Sequence, residues 1–295
     1  MVYWLNSIFL FITIIIMTLK LQEFIEIIWG YYHANKRQFT WRTNPSPYQV
    51  LISEIMLQQT QTFRVAPKFE LFMQELPTIE ALATAPFAQI LALWKGLGYN
   101  RRARYLQETA QRIVSEHGGI VPCDPRILET FPGIGYATAR SIVAFAYNIP
   151  TVFIETNIRA VFIKHFFPEQ EKITDKQLMP LITETVDREN PREWYYALMD
   201  YGVKLKAEHK NPSRASAHHT QQSKFQGSNR QIRGKILEHL LMHRVLSFEQ
   251  LYTVLVEDPV MSFINESKVE KALGQLCRDR LVVEQVSGRY TVPSY

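Results

Sequence analysis

The chain has few cysteines: its 295 residues include only Cys123 and Cys277. A disulfide framework needs several cysteines, and metal centres held by thiolates commonly need four. Composition therefore excludes both, and a reducing, cytoplasmic location is expected. Alternation of apolar and polar residues is also nearly absent between residues 20 and 205, which excludes a mainly β fold there. Apolar residues recur instead at three- and four-residue steps, so we predict helices.

Charge is absent from the first nineteen residues, and Ile8 to Met17 is apolar apart from Thr13. A helix that spans a bilayer needs about 20 apolar residues, and a secretory signal needs a basic start and a small-residue cleavage site. Neither pattern fits well. We expect residues 1–16 to be an apolar extension that precedes a true start at Met17. A membrane anchor formed by residues 1–19 is the alternative.

Acidic residues are scarce between Lys204 and Lys235, where Glu208 is the only one beside eight lysines and arginines. The whole chain has a formal net charge of +5, which favours a polyanionic partner. We interpret residues 204–233 as a basic, mobile linker that neutralises phosphates. We expect the linker and the C-terminal residues 234–295 to add salt-dependent affinity rather than base choice. A solvated tether is the alternative.

Residues 234–295 show a different pattern. Gly234–Arg244 has helical spacing, and capping boxes at Ser247–Gln250 and Ser267–Glu270 predict the starts of two more helices. Two alternating runs within 281–292 then predict a hairpin. Three helices and a hairpin indicate a small α+β winged helix-turn-helix domain, which contacts either DNA or protein.

Two segments carry residue types that suit chemistry on DNA. Ser53–Thr60 places a single acid, Glu54, on an otherwise uncharged helical pattern. Residues 128–139 predict a helix, a tight Pro-Gly-x-Gly turn and a second helix. Glycines allow a close backbone approach, and the unpaired N–H groups at the start of a helix attract anions, so this turn suits a DNA phosphate. Together they suggest acid-assisted chemistry on DNA; a plain turn and a paired structural acid are the alternatives.

Further motifs make the pattern specific: Trp-x-Gly-Leu-Gly-Tyr-x-x-Arg-Ala-Arg at 94–104, His-Gly-Gly at 117–119 and Met-Asp-Tyr-Gly at 199–202. From about Leu21 to Tyr201 the chain resembles the helix-hairpin-helix DNA glycosylases of base-excision repair, and among them the adenine DNA glycosylases of the MutY type. The resemblance implies an all-α, two-lobed glycosylase core, with the active site between the lobes. The implied bounds are 17–203 for the core, 47–149 for the lobe with hairpin 128–139, and 17–46 plus 150–203 for the second lobe.

The resemblance implies roles for two acids. Glu54 falls on the family's general acid, which protonates the leaving purine, while a second carboxylate supports the charge that develops on the sugar. Glu155 stands where the family has its Asp, Thr156 where it usually has Gly, and Asn157 matches the family's Asn. The extra methylene of Glu155 moves its carboxylate by about a C–C bond length. Either the backbone has retreated, the substrate differs or activity is weak; a capping acid is the alternative for Glu155.

The resemblance also assigns residues that contact DNA. Gln59 and Tyr99 match the family's wedge, which fills the gap left by the extruded base, and Gln58 neighbours them. Ala137 stands where some relatives carry the lysine that forms a Schiff base, so a monofunctional glycosylase is expected. The DNA-binding residues of the hairpin are Gly133, Ile134, Gly135 and Thr138.

Most relatives hold a four-iron four-sulfur cluster with four cysteines. Lys206 stands at the first of these positions, and no cysteine follows until Cys277. Because the cluster needs thiolate ligands, we expect no iron–sulfur cluster, no other metal and no cofactor. The family's Nudix-like domain, which recognises 8-oxoguanine, is also missing. Weaker candidates for a metal are the linker histidines, which are His209, His218 and His219.

We therefore expect a monofunctional DNA glycosylase that removes a mispaired base, adenine opposite 8-oxoguanine or guanine, from double-stranded DNA. It is expected to act as a monomer, associated with the nucleoid. One alternative keeps the chemistry and changes the base to thymine or uracil opposite guanine. A second is a non-catalytic protein that binds DNA with the hairpin and the C-terminal domain. Retention of Glu54 argues against this second alternative.

Overall fold

The protein is described by a computed structural model that covers the backbone of residues 2–208, 211–220 and 224–293, with side chains from residue 17 onward. The expectations for the side chains of residues 1–16, and for His209 and Lys210, lie outside the described residues. Within these ranges the chain is mainly helical. The helices are α1 (Val2–Asn35), α2 (Pro47–Leu57), α3 (Thr62–Glu75), α4 (Ile79–Thr84), α5 (Phe87–Trp94), α6 (Arg101–His117), α7 (Pro125–Leu128), α8 (Tyr136–Tyr147), α9 (Thr156–Phe166), α10 (Asp175–Thr185), α11 (Pro191–Glu208), α12 (Asn229–His243), α13 (Phe248–Val256) and α14 (Glu266–Arg278). The strands are β1 (Val245–Ser247), β2 (Val283–Glu284) and β3 (Arg289–Thr291).

Local sequence sets where several helices begin. Ser46 and Gln49 form a capping box at the start of α2, and Ser247 and Gln250 form the predicted one at the start of α13. In a capping box each of the two side chains bonds the backbone N–H of the other, so unpaired donors are satisfied. The predicted box at Ser267 is wrong. The N-cap of α14 is Asn265, whose side chain accepts from the N–H of Lys268.

The first of two units consists of Met1–Phe39 and Ala139–Thr220. On α1, Phe24, Ile28 and Tyr32 are at most 2% exposed, as expected for apolar residues that recur at four-residue steps along one helical face. Phe24 packs against Phe162 of α9 and Trp194 of α11, with ring centroids 4.9 and 6.2 Å apart. These aromatic rings form the core of the unit. Among helices with described side chains, none combines the length and apolar character needed to cross a membrane.

The second unit consists of Thr40–Thr138 and Gln221–Tyr295. Its C-terminal part contains α12 to α14 and an antiparallel sheet of order β1-β3-β2. Leu246 of β1 pairs with Tyr290 of β3, a strand pairing that the sequence did not predict. Glu238 of the C-terminal part forms an ion pair of 2.7 Å with Lys95 of the same unit. The predicted fold class, a helical core followed by a small α+β domain, is confirmed.

The predicted continuous linker over residues 204–233 needs correction. Helix α11 continues to Glu208, and α12 begins at Asn229, so both ends of the linker are helical. Between them, the N–H of Ile173 donates to the carbonyl of Ala215 (2.9 Å), and the N–H of Ala217 donates to the carbonyl of Ile173 (2.8 Å). These two hydrogen bonds hold the backbone around residue 215 against Ile173. Backbone N–H and C=O groups that are buried away from water need such partners.

Candidate active site

Helix α2 carries the predicted general acid. Glu54 is the only charged residue in Pro47–Leu57, and it lies in the last turn of the helix. The neighbouring residues Ser53 and Ile55 are 2% exposed, whereas Glu54 is half-buried. A carboxyl group in this setting is partly screened from water yet open on one side, as a group that delivers a proton to a bound molecule must be.

Arg102 belongs to the motif at 94–104, where the sequence assigned it no role, and it holds the end of α2. Its guanidinium is buried, and Nη1 donates to the carbonyls of Ile55 (2.7 Å), Met56 (2.9 Å) and Gln58 (2.7 Å). These are carbonyls that the end of a helix leaves without intrahelical donors. Its Nη2 donates to the Thr60 hydroxyl and to the carbonyls of Leu97 and Gly98. Burial lowers the pKa of Arg102 to about 10, so it remains a cation at neutral pH.

The predicted wedge residues lie together in the second unit. Gln58, Gln59, Tyr99 and Gly133 line one cavity of about 600 Å³. Gln59 and Tyr99 have φ angles of 54° and 48°, in the left-handed region that non-glycine residues seldom adopt. Such backbone strain persists where the surrounding structure imposes it, and it is concentrated at functional sites. Five other described non-glycine residues share this region, but Gln59 and Tyr99 are the two of them that line this cavity.

The side chain of Gln58 forms hydrogen bonds to the hairpin. Its side-chain amide donates to the carbonyl of Gly133 (3.1 Å) and to the hydroxyl of Thr138 (3.2 Å). These bonds join the end of α2 to the hairpin that follows α7. Gln58 and Thr138 therefore support the hairpin directly.

The hairpin itself depends on one glycine. Gly133 has a φ of 75°, and a Cβ atom added there would lie 2.8 Å from the ring of Tyr105, so only glycine fits. Arg112 of α6 donates to the carbonyl of Thr130 (2.8 Å) and holds the loop from the other side. Ile134 is buried and its N–H donates to the carbonyl of Phe131 (3.2 Å), while Gly135 is exposed before α8 begins. Ala137 lies in the first turn of α8.

Glu155 is the N-cap of α9 in the first unit. Its Oε1 accepts from the N–H groups of Asn157 (2.8 Å) and Ile158 (2.9 Å), and its Oε2 accepts from Nδ2 of Asn157 (3.2 Å). The positive end of a helix stabilises a carboxylate placed there. The capping role is thus present, and it fixes the carboxylate of this longer side chain beside Asn157.

Lys206 extends this arrangement. Its Nζ donates to Oδ1 of Asn157 (2.7 Å), so the amide of Asn157 bridges the lysine and Glu155. Burial lowers the pKa of Lys206, and the charge of Glu155 opposes that shift. The contact requires a close approach of α11 to α9 at Gly202, where a Cβ atom would lie 2.7 Å from Asn157. The hydrogen-bonded chain Glu155–Asn157–Lys206 was not foreseen from the sequence.

The residues present do not fit the family's iron–sulfur cluster. Lys206, at the first cysteine position, is a hydrogen-bond donor to Asn157 rather than a thiolate. Cys123 is exposed and Cys277 half-buried, and they lie in other parts of the chain. Across the described ranges, no group of three or more His, Cys, Asp or Glu side chains is placed to hold a metal ion. The absence of a cluster in the protein stays a prediction.

Comparisons with known proteins show the family to which the chain belongs. Residues 52–187 match the family model for HhH-GPD superfamily base excision DNA repair proteins. The chain is 30% identical over 284 residues to an adenine DNA glycosylase of Mycobacterium tuberculosis (strain ATCC 25618 / H37Rv), covering 90% of this chain and 91% of that protein. It is 33% identical over 186 residues to an adenine DNA glycosylase of Homo sapiens, covering 59% of this chain and 34% of that protein.

Two solved structures share the fold. A thermostable thymine-DNA glycosylase superposes with a TM-score of 0.59 at 24% identity, covering 66% of this chain and 92% of that chain. An endonuclease III in a non-covalent DNA complex superposes with a TM-score of 0.54 at 16% identity, covering 64% and 89%. At these identities the likeness concerns the fold alone. Sequence, fold and family model together show that the chain belongs to the HhH-GPD superfamily of base-excision DNA repair proteins and is a DNA glycosylase.

Proposed function

We propose that this DNA glycosylase removes adenine that lies opposite guanine or 8-oxoguanine in double-stranded DNA. The observation that carries the proposal is Glu54, the lone charged residue of α2, half-buried among buried neighbours. A general acid in such a place can protonate a leaving base. The choice of adenine rests on the similarity over 90% of the chain to the adenine DNA glycosylase of Mycobacterium tuberculosis.

The proposed reaction divides the work between two carboxyl groups. The bond between the sugar C1′ and the base nitrogen breaks, its electron pair leaves with the base, and Glu54 donates a proton to the base. The carboxylate of Glu155 stabilises the cationic sugar, as the second carboxylate does in glycoside hydrolysis. Water then adds to C1′ and gives up a proton, which leaves free adenine and an abasic site. Asn157 and Lys206 hold Glu155 in place for this step.

The proposal includes hydrolysis without strand cleavage and without iron. Strand cleavage by a Schiff base needs an amine at the reacting sugar, and Ala137 offers only a methyl group where some relatives have a lysine. The cluster needs thiolates, and Lys206 stands at the first cysteine position. We propose further that the protein acts as a monomer on duplex DNA.

Single-turnover cleavage of defined duplexes tests the substrate. The duplexes carry adenine opposite guanine, adenine opposite 8-oxoguanine, thymine opposite guanine, or uracil opposite guanine, and alkali reveals abasic sites. We expect product from the two adenine duplexes only. Glu54→Gln is the matched control, because the amide keeps the shape but supplies no acid proton. Faster excision of thymine or uracil would change the proposed substrate, and binding without any product would leave a non-catalytic DNA-binding protein.

A further inference from the structure

The C-terminal helix α12 forms one wall of the cavity that contains the wedge residues. Asn229, Arg230 and Arg233 of α12 line this cavity together with Gln59, Tyr99 and Gly133. All six belong to the second unit. The cavity of about 600 Å³ is large enough for one nucleobase with its sugar. A domain that the sequence suggested as a source of affinity therefore contributes side chains beside the wedge.

Arg230 makes the direct contact. Its Nη1 donates to the hydroxyl of Tyr99 (3.3 Å), and its guanidinium carbon lies 5.9 Å from the centroid of the Tyr99 ring. Tyr99 is 37% exposed, so its ring still offers a surface on which a base can stack. Arg230 and Tyr99 thus lie side by side in a cavity lined by the wedge residues, whose backbone φ angles are strained.

The charge of the cavity favours a nucleic acid. Among the described residues, four arginines and one acid, Asp279, line it. Asp279 accepts a hydrogen bond from Arg233 and lies 3.5 Å from Arg101, while Arg102 donates to backbone carbonyls at the end of α2. Three of the arginines therefore have partners within the protein, and the charge of the lining is still net positive. Gly133 of the hairpin also lines the cavity. A DNA strand whose phosphate lies on the hairpin would therefore bring a neighbouring base to Tyr99 and Arg230.

The side chains favour guanine among the four bases. The fork of an arginine donates two parallel hydrogen bonds to O6 and N7 of guanine, which is the commonest specific contact between arginine and a base. Asparagine would favour adenine in the same way, but the amide of Asn229 already donates to Gln275 (2.6 Å). Because N7 of 8-oxoguanine carries a hydrogen, the same arginine contact favours unoxidised guanine.

We propose that this cavity binds the base opposite the excised one, that it takes guanine, and that Arg230 of α12 is its specificity-determining residue. The inference rests on the proposed function, since the opposite base is defined only by an excised partner. It replaces the expectation that the C-terminal part adds affinity without base choice.

Adenine excision opposite three related bases tests the contact. Guanine and inosine both present O6 and N7, whereas 7-deazaguanine lacks the N7 acceptor. We expect the wild-type protein to lose roughly 5- to 150-fold in single-turnover excision or in binding when guanine is replaced by 7-deazaguanine. Inosine should behave like guanine. Arg230→Gln should treat guanine and 7-deazaguanine alike, and Arg230→Lys, which keeps the charge but not the fork, should also lose most of the difference.

Arg278→Gln is the matched control, because this exposed arginine of α14 carries the same charge outside the cavity. It should keep the wild-type ratio of guanine to 7-deazaguanine. An unchanged ratio in Arg230→Gln and Arg230→Lys would overturn the inference. If the wild-type protein excised no adenine, the proposed function would fail instead. Equilibrium binding to duplexes with an abasic analogue opposite guanine or 7-deazaguanine would still test the cavity, and equal affinities there would reject it.

Discussion

Replacing Arg102 with methionine should lower the free energy of unfolding of the second unit by up to about 6 kcal/mol. The buried carbonyls of Ile55, Met56 and Gln58 each accept from Arg102, and a buried acceptor left without a donor costs about 1–3 kcal/mol. Three such groups give about 3–9 kcal/mol. The gain from removing a buried cation offsets part of this. Burial lowers the pKa of Arg102 to about 10, a shift that corresponds to about 3 kcal/mol.

Urea unfolding followed by tryptophan fluorescence measures this loss. Trp94 is a suitable reporter, since its ring centroid lies 5.4 Å from the guanidinium carbon of Arg102. With a slope of about 2 kcal/mol/M, a loss of 4 kcal/mol moves the midpoint by about 2 M. Arg102→Lys should give an intermediate shift. A single ammonium group cannot donate both to the carbonyls at the end of α2 and to those of Leu97 and Gly98.

Arg101→Met provides the matched control one residue away. The side chain of Arg101 is 55% exposed, and its nearest acid, Asp279, is 3.5 Å distant. Exposed pairs of this kind contribute less than about 1 kcal/mol. If the midpoints of Arg101→Met and Arg102→Met were indistinguishable, capping of α2 by Arg102 would not support the fold.

The remaining predictions concern the chemistry and the fold. Glu54→Gln should abolish excision while DNA affinity in a binding assay persists, because the proton donor alone is lost; wild-type turnover would remove Glu54 from the mechanism. Lys206→Met should slow single-turnover excision by roughly 5- to 30-fold, equivalent to about 1–2 kcal/mol for a lost hydrogen bond, with little change in binding; an unaltered rate would show that the lysine does not position the site. Borohydride should trap no covalent complex with DNA, because Ala137 has no amine, and native protein should contain no iron by elemental analysis; efficient trapping or stoichiometric iron would contradict these expectations. The hydrogen bonds from Arg159 hold the pKa of Asp175 below 3.8, so the stability that wild type gains over Asp175→Asn should be present above pH 3.8 and be lost as the pH falls through the lower folded value; equal acid unfolding curves would refute this.

The sequence determined those features that depend on a few consecutive residues. The Pro-Gly-x-Gly turn, the capping box at Ser247, the buried face of α1 and the lone acid of α2 were all predictable. In each case the physical cause is local: a backbone angle that suits glycine, a side chain that bonds a backbone group three residues away, or an apolar stripe at helical spacing. The shortage of cysteine likewise led to the prediction that no thiolate-held cluster forms.

Only the tertiary structure decided which side chains meet. Arg102 donates to a carbonyl 47 residues earlier, Lys206 donates to a side chain 49 residues earlier, and Arg230 contacts a tyrosine 131 residues earlier. No periodicity in the sequence encodes these pairings, because they depend on how separate helices pack. The extent of the linker was misjudged for the same reason. Its polar and basic composition is typical of a mobile tether, but packing of Leu205, Ser213 and Ser216 buries parts of it, and the free energy of that burial depends on neighbours that are distant along the chain.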